Sequence, residues 1–211
     1  MMNRRELLKS AAMLSAASLI PFNKIMGKSF DKKTKITPIK PPRLKKGDLI
    51  GLIAPGSSIN EEELQDSVKN LENLGFKTFY TDRILAKAGF LGGTDKQRSD
   101  DINEMFANKE VKGIMCARGG YGCNRLAELI DYDLVKKNPK VVCGYSDITA
   151  LIYLLYSKTG LIAFHGPVAT SSFNEFSVNH FVNTLMEPKN TYTMHCAKDE
   201  DMSKVAYQRY A

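Results

Sequence analysis

Short apolar runs alternate with amphipathic helical segments along most of this 211-residue chain. The runs are rich in Val, Ile and Leu and end at turn residues, which is typical of strands buried on both faces of a sheet. The sequence predicts five strands, at 48–54, 76–80, 111–117, 141–144 and 161–164. Because helical segments separate them, we expect crossover connections and a parallel sheet flanked by helices. This α/β domain is expected to span residues 47–188.

Three of the intervening helices have clear sequence signals. Asn60 and Thr94 are suitable N-caps for helices that run to about residue 74 and residue 107. The third predicted helix, at 148–158, is apolar on nearly all sides, and we therefore expect it to be well buried.

Charge is distributed unevenly along the chain. The formal net charge is +7, but residues 1–46 hold twelve Lys and Arg against two acids, and the remaining residues hold eighteen against twenty-one. The basic excess therefore belongs to the N-terminal extension, and the mildly acidic body gives no reason to expect nucleic acid as a partner. No apolar run reaches the roughly 18 residues of a membrane-spanning helix.

The N-terminal extension has the pattern of an export signal. Residues 3–9 form a charged start that includes the pair Arg4 and Arg5, and a small apolar stretch at 10–20 follows. The paired arginines resemble a twin-arginine signal, so we expect residues 1–30 to direct export, with a periplasmic destination. A short amphipathic or buried helix is the alternative. Residues 31–46, rich in Lys and Pro, are expected to form a solvated linker.

Ser146 is the strongest candidate for a reacting atom. It lies in a tight turn between a predicted buried strand and a helix, which is the context of a nucleophile elbow. A helix N-terminus favours a developing alkoxide, and the Asp147 amide could face an oxyanion. The match to G-x-S-x-G is incomplete because Ile148 occupies the position of the second glycine. A plain helix N-cap would explain the serine as well.

A second candidate segment, 118–122, follows another predicted strand. Gly119 and Gly120 could offer backbone amides to an anion, and Arg118 could pair with a substrate carboxylate or form a surface ion pair. The segment matches neither the dinucleotide fingerprint nor a P-loop. Ligands of open parallel sheets bind beyond the carboxyl ends of the strands. We therefore expect this segment and the Ser146 turn to lie together at the edge of the sheet where its strands have their carboxyl ends, which we call the rim.

Histidine and cysteine residues give weaker signals. His165 is the histidine expected on the rim, but a backbone-bonded histidine is commoner there than a catalytic base, and we assign it no role. The four cysteines, Cys116, Cys123, Cys143 and Cys196, lack the spacing of a metal site. Cys116 and Cys143 lie in apolar runs and are expected to be buried.

Five motifs in order carry a family resemblance. They are FLGGTD at 90–95, MCARGGYG at 115–122, DYD at 131–133, GYSDIT at 144–149 and FHGP at 164–167. Over roughly residues 44–172 the chain resembles the LD-carboxypeptidases, a serine peptidase family that includes the microcin C self-immunity proteins. The resemblance implies the family's N-terminal domain, of flavodoxin-like or Rossmann-like type. It also implies hydrolysis that releases the terminal D-alanine of a murein tetrapeptide, without metal or cofactor.

Roles for individual residues follow from the same resemblance. It implies that Ser146 is the nucleophile and that the amide of Asp147, with one from Gly119 or Gly120, forms the oxyanion hole. Arg118 and Tyr121 are candidate substrate contacts.

The family's catalytic Glu and His belong to a C-terminal domain, and no residue of this sequence matches them. We therefore expect residues 189–211 to begin a linker to an absent domain and the chain alone to be nearly inert. Three explanations compete for the missing Glu and His: a truncated gene or partial sequence, a non-catalytic muropeptide-binding homologue, or a base supplied by another chain. A peptide–nucleotide is the alternative substrate. A lone first domain would expose apolar surface, and a homodimer is one candidate assembly of a full-length parent.

Overall fold

The computed structural model describes residues 36–189, 191 and 193. Five parallel strands form one sheet in the order β2-β1-β3-β4-β5. The strands are β1 (Leu49–Ile53), β2 (Lys77–Phe79), β3 (Val111–Cys116), β4 (Val141–Gly144) and β5 (Phe164–His165). This confirms the predicted parallel α/β architecture. The order is that of a flavodoxin-like sheet, in which the chain reverses its direction of winding between β1 and β3.

Within the described part of the chain, five α-helices flank the sheet. They are α1 (Glu61–Asn73), α2 (Asp95–Ala107), α3 (Tyr132–Lys137), α4 (Ile148–Thr159) and α5 (Glu175–Phe181), the last continued by a π-helical turn at Val182–Met186. The predicted N-caps are confirmed, since Asn60 and Thr94 each form a capping box with the residue three positions later.

Two apolar clusters hold the helices against opposite faces of the sheet. Helices α1 and α5 share one cluster with Ile50, Leu52 and Met115, and helices α2, α3 and α4 share the other with Ile53 and Ile114. Neighbouring strand residues thus serve different faces, as the two-residue period of a strand requires. The result is a three-layer α/β sandwich in which the helices cover both faces of the sheet and leave the loops at the carboxyl ends of the strands uncovered by helices.

Helix α4 differs from the prediction of a helix buried on nearly all sides. Ile148, Leu151 and Leu155 are buried, but the side chains of Tyr153 and Tyr156 are exposed. The sheet and α3 cover one side of this helix, so its apolar composition exceeds what those neighbours can bury.

The described part of the linker predicted at 31–46, residues 36–46, is mostly exposed but is tied to the α/β domain at two points. Ile39 makes a parallel bridge with Leu161, and the Leu44 N–H donates to the carbonyl of Leu185 at 2.8 Å. Leu44 is also part of the core, with 2% of its surface exposed. The few apolar residues of this basic segment are thus enough to anchor it. Strand β5 begins at Phe164, whereas the sequence predicts its start at Leu161, the residue that pairs with Ile39.

Several predictions concern residues outside the described part of the chain. The export signal at 1–30, the linker residues 31–35 and most of the expected interdomain segment at 189–211 belong to this group. Among the described residues, no helix combines the length and apolarity needed to cross a membrane.

Candidate functional site

Ser146 has strained backbone geometry. Its φ angle is 62°, and among the residues that the structure describes it is the one non-glycine residue with a positive φ. This left-handed conformation costs an L-residue about 1–2 kcal/mol. The strain arises where the chain turns from β4 into α4, with the Thr149 N–H donating to the Ser146 carbonyl at 2.9 Å. The sequence predicts such a turn, and the structure has it.

The side chain of Ser146 does not cap the helix. The N-cap residue of α4 is Asp147, and no side-chain hydrogen bond caps this helix. The Ser146 side chain is exposed, and its Oγ has no hydrogen-bond partner within residues 36–189. The N-cap interpretation of this serine is therefore wrong, and its hydroxyl is left available at the rim.

Ile148 explains the departure from G-x-S-x-G. A β-carbon on Gly144 would lie 2.8 Å from Cγ2 of Ile148, so the isoleucine packs directly over the glycine that precedes the elbow. Ile148 is itself fully buried. Glycine at position 144 thus allows the side chain of residue 148 to pack against the backbone. A second glycine at position 148 is therefore not needed for this turn.

The loop after β3 lies against Ser146. A β-carbon on Gly119 would lie 3.0 Å from Cβ and 3.3 Å from Oγ of Ser146. On its other side, Gly119 accepts a hydrogen bond from the Ser57 N–H at 3.0 Å. Gly120 has a φ of 123°, and a β-carbon there would overlap the side chain of Ser57. Glycine is therefore required at both positions for the loops after β1, β3 and β4 to meet.

Several backbone N–H groups of this rim have no acceptor among the residues that the structure describes. The amides of Gly119, Gly120 and Asp147 donate no hydrogen bond to another atom within the described part of the chain. Unpaired amides beside an exposed hydroxyl at a helix N-terminus are the components of an oxyanion hole. The structure thus brings together the four residues to which the resemblance assigns catalytic roles.

The carboxylate of Asp147 connects the elbow to the glycine-rich loop. Its Oδ2 accepts a hydrogen bond from the Cys123 N–H at 3.0 Å. Burial, together with this nearby carboxylate, strongly raises the pKa of the Cys123 thiol. Cys123 is therefore a buried apolar side chain at the end of the loop rather than a nucleophile.

Arg98 is a site residue that the sequence analysis missed. Its side chain is completely buried, and Nη1 donates to the carbonyls of Pro55 and Gly122, which follow β1 and β3 respectively. Its Nη2 donates to the carboxylate of Asp95. One guanidinium therefore connects the loop after β1 to the loop after β3. Its spacing in the sequence could have indicated that it is buried, because Arg98 lies four residues before the buried Ile102 and therefore on the same face of the helix.

Asp95 completes this support. Its second carboxylate oxygen accepts two hydrogen bonds from Arg125, at 2.7 and 2.9 Å. Burial raises the pKa of this carboxyl group, but the hydrogen bonds from Arg125 and Arg98 outweigh that effect and hold the pKa below its ordinary value.

Arg118 and Tyr121 flank the two glycines. Nη1 of Arg118 donates to Oε1 of Glu63 at 2.8 Å, so the surface ion pair that the sequence allowed is present. Tyr121 is highly exposed and packs edge-to-face on Phe90, which is also exposed, with ring centroids 6.4 Å apart. Both residues therefore stand at the margin of the rim, where a ligand could contact them.

His165 lies at the carboxyl end of β5, in register with Gly144 of β4. Together with His180 and Phe176 it lines a cavity of about 420 Å³, and the lining of this cavity does not include Ser146. The predicted burial of Cys116 and Cys143 is confirmed, and burial raises the pKa of the Cys143 thiol to about 12. Among the described residues, no group of three or more His, Cys, Asp or Glu side chains could hold a metal ion.

Comparison with known proteins places these features in a family. Residues 50–166 match the model of the LD-carboxypeptidase N-terminal domain, Peptidase_S66. A probable murein peptide carboxypeptidase of Bacillus subtilis is 38% identical over 159 residues, covering 73% of this chain and 50% of the relative. The microcin C7 self-immunity protein MccF of Escherichia coli is 38% identical over 133 residues, covering 61% and 38%.

A solved structure agrees with the sequence relatives. The crystal structure of muramoyltetrapeptide carboxypeptidase from Oxalobacter formigenes is 31% identical and matches with a TM-score of 0.60. The match covers 66% of this chain and 48% of that one. The chain spans about half the length of the curated relatives it matches. Since the family model matches more than half of the chain and includes the elbow and the glycine-rich loop, this protein belongs to the LD-carboxypeptidase family through its N-terminal domain.

Proposed function

We propose that this chain is the nucleophile-bearing part of a serine carboxypeptidase that releases the terminal D-alanine from murein tetrapeptides. The observation that carries the proposal is the strained, exposed Ser146 packed against Gly119. Strain of this kind persists where the surrounding structure enforces it, and it is common at catalytic nucleophiles. The names of the relatives supply the substrate class, since they include a murein peptide carboxypeptidase and a muramoyltetrapeptide carboxypeptidase.

The proposed reaction is acyl transfer to Ser146 followed by hydrolysis. Oγ attacks the carbonyl carbon of the penultimate residue, and the hydroxyl proton passes to a general base. The oxyanion of the tetrahedral intermediate accepts hydrogen bonds from the amide of Asp147 and from that of Gly119 or Gly120. Collapse breaks the C–N bond, and the protonated base gives its proton to the leaving D-alanine amine. Water then cleaves the acyl-serine ester and regenerates the hydroxyl.

The general base is proposed to come from outside the described residues. No side chain within residues 36–189 bonds to Oγ of Ser146, and His165 lines a cavity that does not include this serine. The family resemblance implies a Glu and a His from a C-terminal domain. Because the members of a triad act as a unit, the 211 residues by themselves are expected to have little or no hydrolytic activity.

Hydrolysis by the purified chain tests both parts of this proposal. We expect at most trace D-alanine release from a murein tetrapeptide, measured by mass spectrometry, and we expect Ser146→Ala to abolish that trace. Rapid release by residues 1–211 would contradict the expectation that these residues by themselves lack the general base. Release that survives Ser146→Ala would remove the nucleophile assignment.

A peptide–nucleotide is the second substrate class to include. The relation to the microcin C7 self-immunity protein motivates it, at 38% identity over 133 residues. An aminoacyl sulfamoyl adenosine, of the kind present in a solved structure of that immunity protein, separates the two classes when it is assayed beside the tetrapeptide for binding to the Ser146→Ala variant. Tighter binding of the sulfamoyl adenosine conjugate would favour detoxification of a peptide–nucleotide as the function. Stable binding of muropeptides without turnover in any assembled form would favour a non-catalytic binder.

We also propose that residues 1–30 export the protein to the periplasm. The charged start, the Arg4 and Arg5 pair and the short apolar stretch support this. Fusing residues 1–30 to a reporter that is active only after export tests the proposal. Replacement of both arginines by lysine should block export while preserving charge, and unimpaired export of that variant would exclude the twin-arginine route.

A further inference from the structure

The rim presents four chemical groups in a fixed order. Strands β1, β3 and β4 are neighbours in the sheet. The first turn of α1, the helix that follows β1, carries Glu63, and the loops after β3 and β4 carry the Arg118–Gly119 pair and Ser146. Gly119 touches Ser146 on one side, while Arg118 reaches Glu63 on the other. A hydroxyl, free backbone amides, a guanidinium and a carboxylate therefore follow one another along the rim.

A carboxypeptidase substrate carries a negative charge at a fixed distance from the reacting bond. Only the amide nitrogen and one α-carbon separate the scissile carbonyl from the terminal carboxylate. When the carbonyl lies at Ser146 and its oxygen at the glycine amides, the carboxylate lies within one residue of that point. The basic side chain next to Gly119 along the chain is that of Arg118.

Arg118 is the arginine of this loop region whose donors remain available. Arg98 is buried and bonded to two carbonyls and to Asp95, and Arg125 donates twice to Asp95. In Arg118 only Nη1 has a partner among the described residues, and half of the side chain is exposed. The remaining Nε and Nη2 donors can bind a carboxylate with two parallel hydrogen bonds.

Glu63 fixes the position of that guanidinium. One of its carboxylate oxygens accepts from the Asn60 N–H at 3.0 Å as part of the capping box of α1, and the other accepts from Arg118 at 2.8 Å. The carboxylate is therefore anchored at a helix N-terminus before it meets the arginine. A long side chain that would otherwise lose rotamer freedom on binding is held in place beforehand.

We propose that Arg118, positioned by Glu63, binds the terminal carboxylate of the peptide and so restricts the site to substrates with a free carboxyl end. This inference rests on the proposed carboxypeptidase function. Arg118 is the specificity-determining residue, and Glu63 acts through it as a positioning residue.

Binding of a matched pair of peptides tests the inference. In the Ser146→Ala background, which prevents turnover, calorimetry compares a murein tetrapeptide with the same peptide carrying a C-terminal amide. We expect the acid to bind at least about tenfold more tightly than the amide, as a charge-assisted bidentate pair implies. Arg118→Gln should abolish this preference by weakening acid binding only, and Arg118→Lys should restore part of it.

Two further variants separate the roles of charge and positioning. Glu63→Gln should reduce the acid preference several-fold while leaving amide binding unchanged. Arg83→Gln is the control, because Arg83 also forms an ion pair, with Asp101 and Glu104, on a different loop. It should change neither affinity. Thermal unfolding of each variant verifies that it is folded.

Each contrary result has a separate meaning. Equal binding of acid and amide, or a preference that persists in Arg118→Gln, overturns the inference and leaves the proposed function standing. An equal loss of acid and amide binding in Arg118→Gln also overturns it, because the arginine would then contact another part of the peptide. Failure of both peptides to bind the parent protein up to their solubility limit overturns the proposed substrate class and the inference with it.

Discussion

Gly119 and Ser146 lie so close together that a β-carbon on the glycine would be 3.0 Å from Cβ of the serine. The two residues follow adjacent strands, β3 and β4, so their contact joins the glycine-rich loop to the nucleophile elbow. The distance is tighter than ordinary packing, and it places the loop amides beside the serine hydroxyl. This contact is the basis of the proposed oxyanion hole.

Gly119→Ala should therefore disturb the site. The added methyl group must displace either the loop or the Ser146 turn, at a cost of about 1–3 kcal/mol in the free energy of unfolding. Urea unfolding measures this cost, and amide NMR shifts at residues 145–147 report the displacement. Gly89→Ala is the control for the NMR shifts: alanine is strained there by a φ of 65°, but a β-carbon meets no atom within 4 Å, so residues 145–147 should not shift. Unchanged shifts at 145–147 in Gly119→Ala would contradict the contact.

Relief of backbone strain at Ser146 should stabilise the fold. Glycine adopts a positive φ without the steric cost of a β-carbon, so Ser146→Gly should be about 1 kcal/mol more stable than Ser146→Ala, which keeps the strain. Chemical denaturation of the two variants gives the difference directly. A Ser146→Gly variant less stable than Ser146→Ala would mean that the turn is not strained in solution.

Loss of the buried Arg98 should destabilise the rim loops. Arg98→Met leaves the carbonyl of Pro55 without this donor, takes one of two donors from the carbonyl of Gly122 and removes a partner of Asp95, which we expect to cost about 3 kcal/mol. Amide hydrogen exchange should be accelerated at residues 119–123. Arg125→Gln removes an exposed partner of the same carboxylate and should cost less than about 1 kcal/mol. Similar losses in the two variants would contradict the structural role of Arg98.

The stability of the protein should depend on the ionisation of Asp95. Its pKa is lower in the folded state, so the folded protein binds this proton less readily than the unfolded chain does. The resulting stabilisation is present above the unfolded pKa, near 4, and is lost as the pH falls through the lower folded value. Asp95→Asn should therefore flatten the acid side of the stability profile, measured by urea unfolding.

Asp133→Asn is the control for this pH dependence. Asp133 is highly exposed, and its ion pair with Lys136 is long, at 3.8 Å. This substitution should leave the profile unchanged. An acid limb of equal steepness in the parent and in Asp95→Asn would exclude the proposed contribution of Asp95.

The order and type of the main elements could be predicted from the sequence because each depends on a local pattern. Apolar runs identified the five strands, and capping residues identified the starts of α1 and α2. The same patterns located the Ser146 turn and the glycine-rich loop. Strand direction then placed both at one rim, because the carboxyl ends of parallel strands share an edge.

Tertiary structure alone decided which residues meet across the chain. The burial of Arg98 depends on loops 43 and 24 residues away, and the anchoring of Leu44 depends on a carbonyl at Leu185. The exposure of Tyr153 depends on how little of α4 the sheet and α3 can cover. Sequence periodicity records which face of an element is apolar, since that is a local property. It does not record the partner, because pairing is set by packing between segments that are distant along the chain.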